Sequence, residues 1–231
     1  MCWSATADLT AGTAITAVGI ACLVRTRRAR DLPVAALPLI LGTHQLIEAA
    51  VWRSGGGCGP ATTAWAAIAL PLLPVWVSLG VLLAAPPAAR PRLRWPAAVG
   101  LATGAHLSYC LATRPVSAEI RGHILGYGVN VPWMPLVLAG YLFATLGSLL
   151  ISGDRGLRRL GALLAAGALV CSALWRLEFA STWCAFAAAA STLILARTRD
   201  RGFSLCTRGP GPEEAGPVTP ARTANRPTWR R

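Results

Sequence analysis

The chain has 231 residues, of which 54% are hydrophobic and only 13% are charged. A soluble domain carries about 25% charged residues, so this composition excludes an ordinary soluble fold and favours a polytopic membrane protein. All of the positive side-chain charge behind the net value of +13 comes from arginine, because the chain has no lysine. The arginines flank apolar segments and form no continuous patch, so we exclude nucleic acid as a partner.

Seven apolar stretches predict an all-α fold, a seven-transmembrane-helix bundle. In chain order they are Ser4–Val24, Pro33–Trp52, Ala61–Ala85, Pro96–Thr113, Trp133–Ser152, Leu160–Glu178 and Trp183–Ala196. Pro71 and Pro74 lie inside the third stretch and predict a kink there. We expect a transmembrane domain over residues 1–197 and a disordered, Arg/Pro-rich cytoplasmic tail over residues 198–231.

The arginines are sorted between the two sides of this predicted bundle. Of the 22 arginines, 18 lie in residues 25–30, 90–94 and 155–159 and after residue 196. These segments are alternate connections plus the tail, which is the positive-inside pattern. It predicts an N-terminus outside and a C-terminus in the cytoplasm, with the arginines acting as anchors on anionic lipid. The expected location is the plasma membrane of a bacterium, with the lipid bilayer as the partner.

Six ionisable side chains fall inside the predicted spans, where they are costly unless they face protein or a cavity. They are Asp8, His44, Glu48, His106, Arg176 and Glu178. His44 and Glu48 are four residues apart and share one helix face. His44 lies about 16 Å and His106 about 15 Å along their helices from the cytoplasmic side. The two histidines are therefore predicted at matching depth, with Glu48 one turn further out.

We interpret this cluster as a candidate site for a divalent transition metal such as zinc, in a polar pocket that opens outward. Imidazole and carboxylate groups suit such an ion, and an open coordination position would activate water for hydrolysis. The candidate ligands are His44, Glu48 and His106, with Cys2, Asp8 and Cys184 as weaker candidates. The predicted pocket rim contains Trp3, Ser4, Gln45, Tyr109, Arg176, Glu178 and Trp183.

Simpler interpretations of the same residues stay open. His44 and Glu48 form an intrahelical hydrogen-bonded pair in one of them, and His106 bonds to a neighbouring hydroxyl or carbonyl group. Cys2 and Cys184 would form a disulfide, because the outer compartment permits it. The longest outer connection, residues 114–132, either caps a cavity between the span ends or is a solvated loop.

Four motifs carry a resemblance to a known family. They are Met1-Cys2-Trp3-Ser4-Ala5-Thr6-Ala7-Asp8, Leu37-Pro38-Leu39, His44-Gln45-Leu46-Ile47-Glu48 and Ser181-Thr182-Trp183-Cys184-Ala185-Phe186-Ala187-Ala188. These resemble an uncharacterised family of bacterial multi-pass membrane proteins that begin Met-Cys-Phe-Ser-Ala. The resemblance implies a membrane protein of unknown function. The chain is similar only in architecture to the seven-span hydrolases that include alkaline ceramidases, because its last span lacks their paired histidines.

Three classes of function follow as expectations. The first is a metal-dependent hydrolase acting on a lipid or small amphiphile at the outward pocket. The second is a transporter or small-ligand sensor, in which the ionisable groups contact protons or ligand. The third is a membrane structural or assembly protein without chemistry.

Overall fold

The computed structural model describes residues 4–122, 124–174 and 189–198. Within them the chain forms seven helices and one β-hairpin. The helices are α1 (Ala5–Arg25), α2 (Ala29–Arg53), α3 (Pro60–Ala84), α4 (Arg90–Thr113), α5 (Met134–Ile151), α6 (Arg155–Leu174) and α7 (residues 189–198). The hairpin consists of β1 (Ser117–Arg121) and β2 (Ile124–Gly128), between α4 and α5. The end of the bundle with this hairpin is called the hairpin end, and the opposite end the arginine end.

Four of these helices, α1, α2, α3 and α5, are long and apolar enough to cross a membrane. They agree with the first, second, third and fifth predicted spans. The helices α4 and α6 each begin with three arginines, which lower their mean hydropathy, and only ten residues of α7 are described. The mostly helical fold class is confirmed, whereas the count of seven spans and the orientation stay predictions.

Small residues fix the packing of α1 against α2. A Cβ atom added at Gly19 would lie 2.7 Å from the Leu39 Cα atom, and one added at Gly42 would lie 2.6 Å from the Thr16 nitrogen. Such close approach is typical of glycine at helix interfaces in membranes. The helices are antiparallel, and this register brings Asp8, near the start of α1, to the level of Glu48 on α2.

Where Pro71 and Pro74 predicted a kink, α3 contains a π-helical turn, Ile68–Leu72, which includes Pro71. There the Leu73 N–H donates to the Ile68 carbonyl, and Pro74 has no N–H to offer the Ala69 carbonyl. That carbonyl instead accepts a hydrogen bond of 2.8 Å from the Tyr141 hydroxyl on α5. A second π turn, Phe143–Gly147 in α5, was not predicted from the sequence.

The connection 114–132 folds into the hairpin and is held against the α2–α3 connection. In register, Ala118 faces Tyr127 across the two strands. Gly57 pairs with Ala118 through two backbone hydrogen bonds of 2.7 and 3.1 Å, in a conformation with φ of 84° that favours glycine. Ala118 and Leu125 are buried against Val51 of α2. Of the two interpretations left open for this connection, the cap is therefore the one that the structure supports.

Polar and charged contacts tie the connections together at the arginine end. Arg197 of α7 is only 9% exposed and lies 3.6 Å from Asp31 and 3.4 Å from Asp154. Asp154 also accepts from the Leu157 N–H and so caps the start of α6. Arg197 was counted with the anchoring arginines in the sequence, but here it is an internal ion-pair partner. Of the predicted tail only Thr198 is described, and it belongs to α7, so the tail boundary stays a prediction.

Candidate functional site

One face of α2 carries polar residues at its hairpin end and apolar residues towards the arginine end. Leu37, Leu41, His44 and Glu48 are spaced by four, three and four residues, which places them on one helical stripe. The leucines line a cavity, and the two polar residues continue the stripe towards the hairpin. Gln45 and Glu48 are 3% and 1% exposed.

Two aromatic rings from other elements cover this end of α2. Trp65 of α3 and Tyr127 of β2 stack with their ring centroids 3.4 Å apart and an interplanar angle of 4°. The Tyr127 hydroxyl donates to Glu48 Oε1 over 3.4 Å, and Gln45 Nε2 donates to Glu48 Oε2 over 3.5 Å. The His44 ring lies 5.0 Å from that of Trp65, tilted by 38°. We call His44, Gln45, Glu48, Trp65 and Tyr127 the polar cluster.

Two ring nitrogens of the polar cluster are buried without a hydrogen-bond partner among the described residues. They are Nε2 of His44 and Nε1 of Trp65. A buried polar atom without a partner costs about 1–3 kcal/mol. The indole nitrogen can only donate, whereas an imidazole nitrogen donates or accepts according to its tautomer.

A cavity of about 430 Å³ begins at the aromatic pair and runs towards the arginine end. Its walls come from α2 to α7 and from the hairpin, and almost all of them are apolar. Representative residues are Leu41, Ala69, Val131, Val137, Leu164 and Ile194. Trp65 and Tyr127 are the members of the polar cluster that also line the cavity. They therefore form the boundary between an apolar chamber and the buried Glu48 carboxyl group.

One wall of this cavity faces the outside of the bundle. Met134, Leu138 and Leu142 of α5 all line the cavity, and they are 50%, 52% and 39% exposed. The three residues are one helical turn apart and so form a single stripe along α5. This stripe of α5 therefore belongs both to the cavity wall and to the exposed surface of a helix that is long and apolar enough to cross a membrane.

The predicted metal ligands are only partly brought together. Within the described ranges, no three His, Cys, Asp or Glu side chains are grouped so that they could hold a metal ion. His106 instead contacts Cys110 on its own helix, with 3.6 Å between its Nε2 and the Cys110 Sγ. The prediction of matching depth concerned only the position of each histidine along its helix, and it did not specify which face of α4 carries His106. Cys2 and Cys184 lie outside the described residues.

The predicted rim residues are dispersed. Ser4 caps α1 by accepting from the Ala7 N–H over 3.2 Å, and Tyr109 is 65% exposed and does not line the cavity. Asp8 is fully buried. Gln45 does belong to the polar cluster. The other four rim residues lie outside the described residues: Trp3, Arg176, Glu178 and Trp183.

Trp65 and Tyr127 were not assigned to the site from the sequence. Trp65 lies one turn inside the third predicted span and looks like an interfacial aromatic residue. Tyr127 lies in the connection that was predicted either to cap a cavity or to be solvated. The only signal for either residue was an aromatic ring near a cluster of buried polar groups.

Comparison with known proteins identifies the family. The model of a family of unknown function, DUF6629, matches residues 1–208, and the chain belongs to this family. No curated protein and no solved structure matches the chain.

Proposed function

Since membership of DUF6629 brings no activity with it, we propose from the geometry that the chain is a multi-pass membrane protein that binds a single-chain amphiphile. The apolar tail of the ligand would occupy the cavity of about 430 Å³. The observation that carries this proposal is the stripe of Met134, Leu138 and Leu142, which lines the cavity and also faces outward. A ligand can therefore enter sideways from the bilayer.

The size of the cavity fits one aliphatic chain. A methylene group needs about as much space as a water molecule, about 30 Å³, so the cavity accommodates roughly 14 of them. Each buried methylene group favours binding by about 0.8 kcal/mol relative to water, but much of this gain is lost for a ligand that leaves a bilayer. Selectivity must therefore come from shape and from the polar cluster.

The two ends of the bundle receive different roles in this proposal. The positive-inside pattern predicts that the arginine end lies in the cytoplasm and the hairpin end outside. At the arginine end the cavity stops at Val77, Leu149 and Ile194, which belong to a cluster of buried apolar residues. This closed end favours a binding or sensing role over transport of the ligand across the membrane.

The test uses purified protein in lipid nanodiscs and radiolabelled tetradecanol. Ala69→Phe places a phenyl ring in the cavity and should weaken binding about tenfold or more, equivalent to at least about 1.4 kcal/mol. Ala102→Phe is the matched control, since Ala102 is exposed on α4 and does not line the cavity. Equal binding by the two variants and the wild type would show that the cavity holds no chain.

A metal site is a second candidate, favoured by the unpaired Nε2 of His44 within the described part of the chain. His44 and Glu48 would supply two ligands from successive turns of α2, and Cys2 or Cys184 a third. A zinc ion bound there would make the protein a hydrolase of the amphiphile. Metal content is the measurement, because wild-type protein should hold one equivalent that His44→Ala loses. Substoichiometric zinc in both proteins would eliminate this candidate.

A further inference from the structure

We propose that the cavity selects its ligand by chain length, with the terminal methyl group of the chain at the arginine end and its polar end at the hairpin end. This inference rests on the proposed function and deepens it. It names the ligand class as an unbranched alkyl chain of about 14 carbons that carries its polar group at one end. Two features of the cavity support it, a closed end built from buried side chains and a wall whose exposure decreases towards that end.

The closed end of the cavity consists of buried apolar side chains. Six lining residues also belong to the cluster of buried apolar residues, and they come from five helices. They are Leu37, Val77, Leu149, Leu160, Ala190 and Ile194. The most exposed of them, Val77, is only 9% exposed. A chain that enters the cavity therefore meets packed protein at this end, and a further methylene group would have to displace a core side chain.

The wall formed by α5 shows which end of the cavity is open. Met134, Leu138 and Leu142 follow one another at intervals of four residues along the lining stripe and are 50%, 52% and 39% exposed. Leu149 continues the same stripe seven residues further on and is only 2% exposed. Exposure therefore falls from about half to almost nothing along about 22 Å of helix. The hairpin end is the end at which the polar group of the ligand can remain outside the cavity.

The length of the cavity agrees with its volume. On α3 the lining residues run from Trp65 to Val77, which is about 18 Å of helix at about 1.5 Å per residue. A chain of one lipid leaflet spans about half of the hydrocarbon core, or about 15 Å. The cavity is therefore about as long as one extended lipid chain, and its volume of about 430 Å³ holds roughly 14 methylene groups. Both values indicate one chain, because a second chain beside it would double the volume required.

The described lining offers no free donor to a polar group in the middle of the chain. The Tyr141 hydroxyl donates to the Ala69 carbonyl, and the Thr145 hydroxyl donates to the Tyr141 carbonyl, each over 2.8 Å. The Tyr127 hydroxyl donates within the polar cluster, and Trp65 Nε1 is inaccessible from the cavity. A keto group midway along the chain would therefore lose its hydrogen bonds to water without replacement. This favours a plain alkyl chain.

A series of unbranched 1-alkanols in nanodiscs tests the selection by length. Alkanols from decanol to eicosanol compete with radiolabelled tetradecanol at equal mole fractions in the bilayer, so that differences in partitioning into lipid cancel. Competition by wild-type protein should not weaken up to about tetradecanol. It should weaken about tenfold or more at octadecanol, because the extra methylene groups must overpack the closed end or extend beyond the membrane surface at the hairpin end. Equal competition by all lengths would overturn the inference.

Two substitutions at the closed end should move the length limit in opposite directions. Leu149→Ala replaces an isobutyl group with a methyl group, so the limit should move up by about two carbons, to hexadecanol. Ala190→Leu makes the reverse exchange, and the limit should move down by about two carbons, to dodecanol. Leu150→Ala and Ala189→Leu are matched controls, because both positions are exposed and lie outside the cavity lining.

The outcomes separate this inference from the proposed function. If wild-type protein binds no alkanol, the proposed function is wrong. If Leu149→Ala and Ala190→Leu bind tetradecanol but keep the length limit of wild type, the cavity holds chains and this inference is wrong. A variant that binds no alkanol of any length is misfolded, and the length profile of wild type and the other variant then decide.

Discussion

Replacing Gly19 with alanine should force α1 and α2 apart. The new Cβ atom would lie 2.7 Å from the Leu39 Cα atom and 2.9 Å from its Cβ atom, closer than real Cβ contacts come. Backbone atoms cannot rotate away as a side chain does, so the helices must separate along their interface. Overpacking of this kind costs about 1–3 kcal/mol, and here we expect the upper part of that range.

Thermal unfolding of purified protein in detergent measures this cost. For a domain of this size, about 1 kcal/mol shifts the melting temperature by about 2–4 °C, so Gly19→Ala should melt roughly 4–12 °C lower than wild type. The control is Gly59→Ala, because a Cβ atom at Gly59 meets nothing within 4 Å and its φ of −97° suits alanine. If Gly19→Ala melts at the wild-type temperature, the close contact of α1 with α2 does not exist.

Other contacts give independent predictions. Tyr127→Phe removes one long hydrogen bond and should cost about 0.5–1.5 kcal/mol, whereas Tyr127→Ala also removes the ring stack and should speed hydrogen exchange at the Ala118 amide. Similar exchange in both variants would mean that the stack does not hold the hairpin. Arg197→Ala removes the cation between two acids at the arginine end and should destabilise by about 3 kcal/mol. Arg158→Ala, at an exposed arginine, should change the melting temperature little, and equal effects of the two substitutions would contradict the internal ion pairs.

The helices were predictable because the apolar stretches and the basic connections that separate them can be read from the sequence without knowing how the helices pack. Alternate connections are basic, and six of the seven apolar stretches have the length of a helix that crosses a bilayer, whereas Trp183–Ala196 is shorter. Proline also disturbs the helix at its own position, so an irregular turn in α3 at Pro71 could be predicted from the sequence. The π turn in α5 could not, because Phe143–Gly147 contains no residue that demands it.

For the candidate site, the sequence could predict only how far along its helix each residue lies. Position along a helix gave a predicted depth for His44 and His106, but the rotation of each helix about its axis depends on packing against its neighbours. His106 accordingly contacts Cys110 on its own helix instead of joining His44. Tyr127 reaches Glu48 across 79 residues of chain, through strands of only five residues whose alternation is too weak to predict a hairpin.

The hydrogen bond from Tyr141 to the Ala69 carbonyl links α5 to the π-helical turn of α3. Pro74 leaves that carbonyl without a backbone donor, and the buried tyrosine hydroxyl has this acceptor on α3. Ala69 and Tyr141 both line the cavity, so this hydrogen bond joins two of its walls. A residue with an N–H at position 74 would compete for the carbonyl, and the effects of changing positions 74 and 141 should therefore be strongly non-additive.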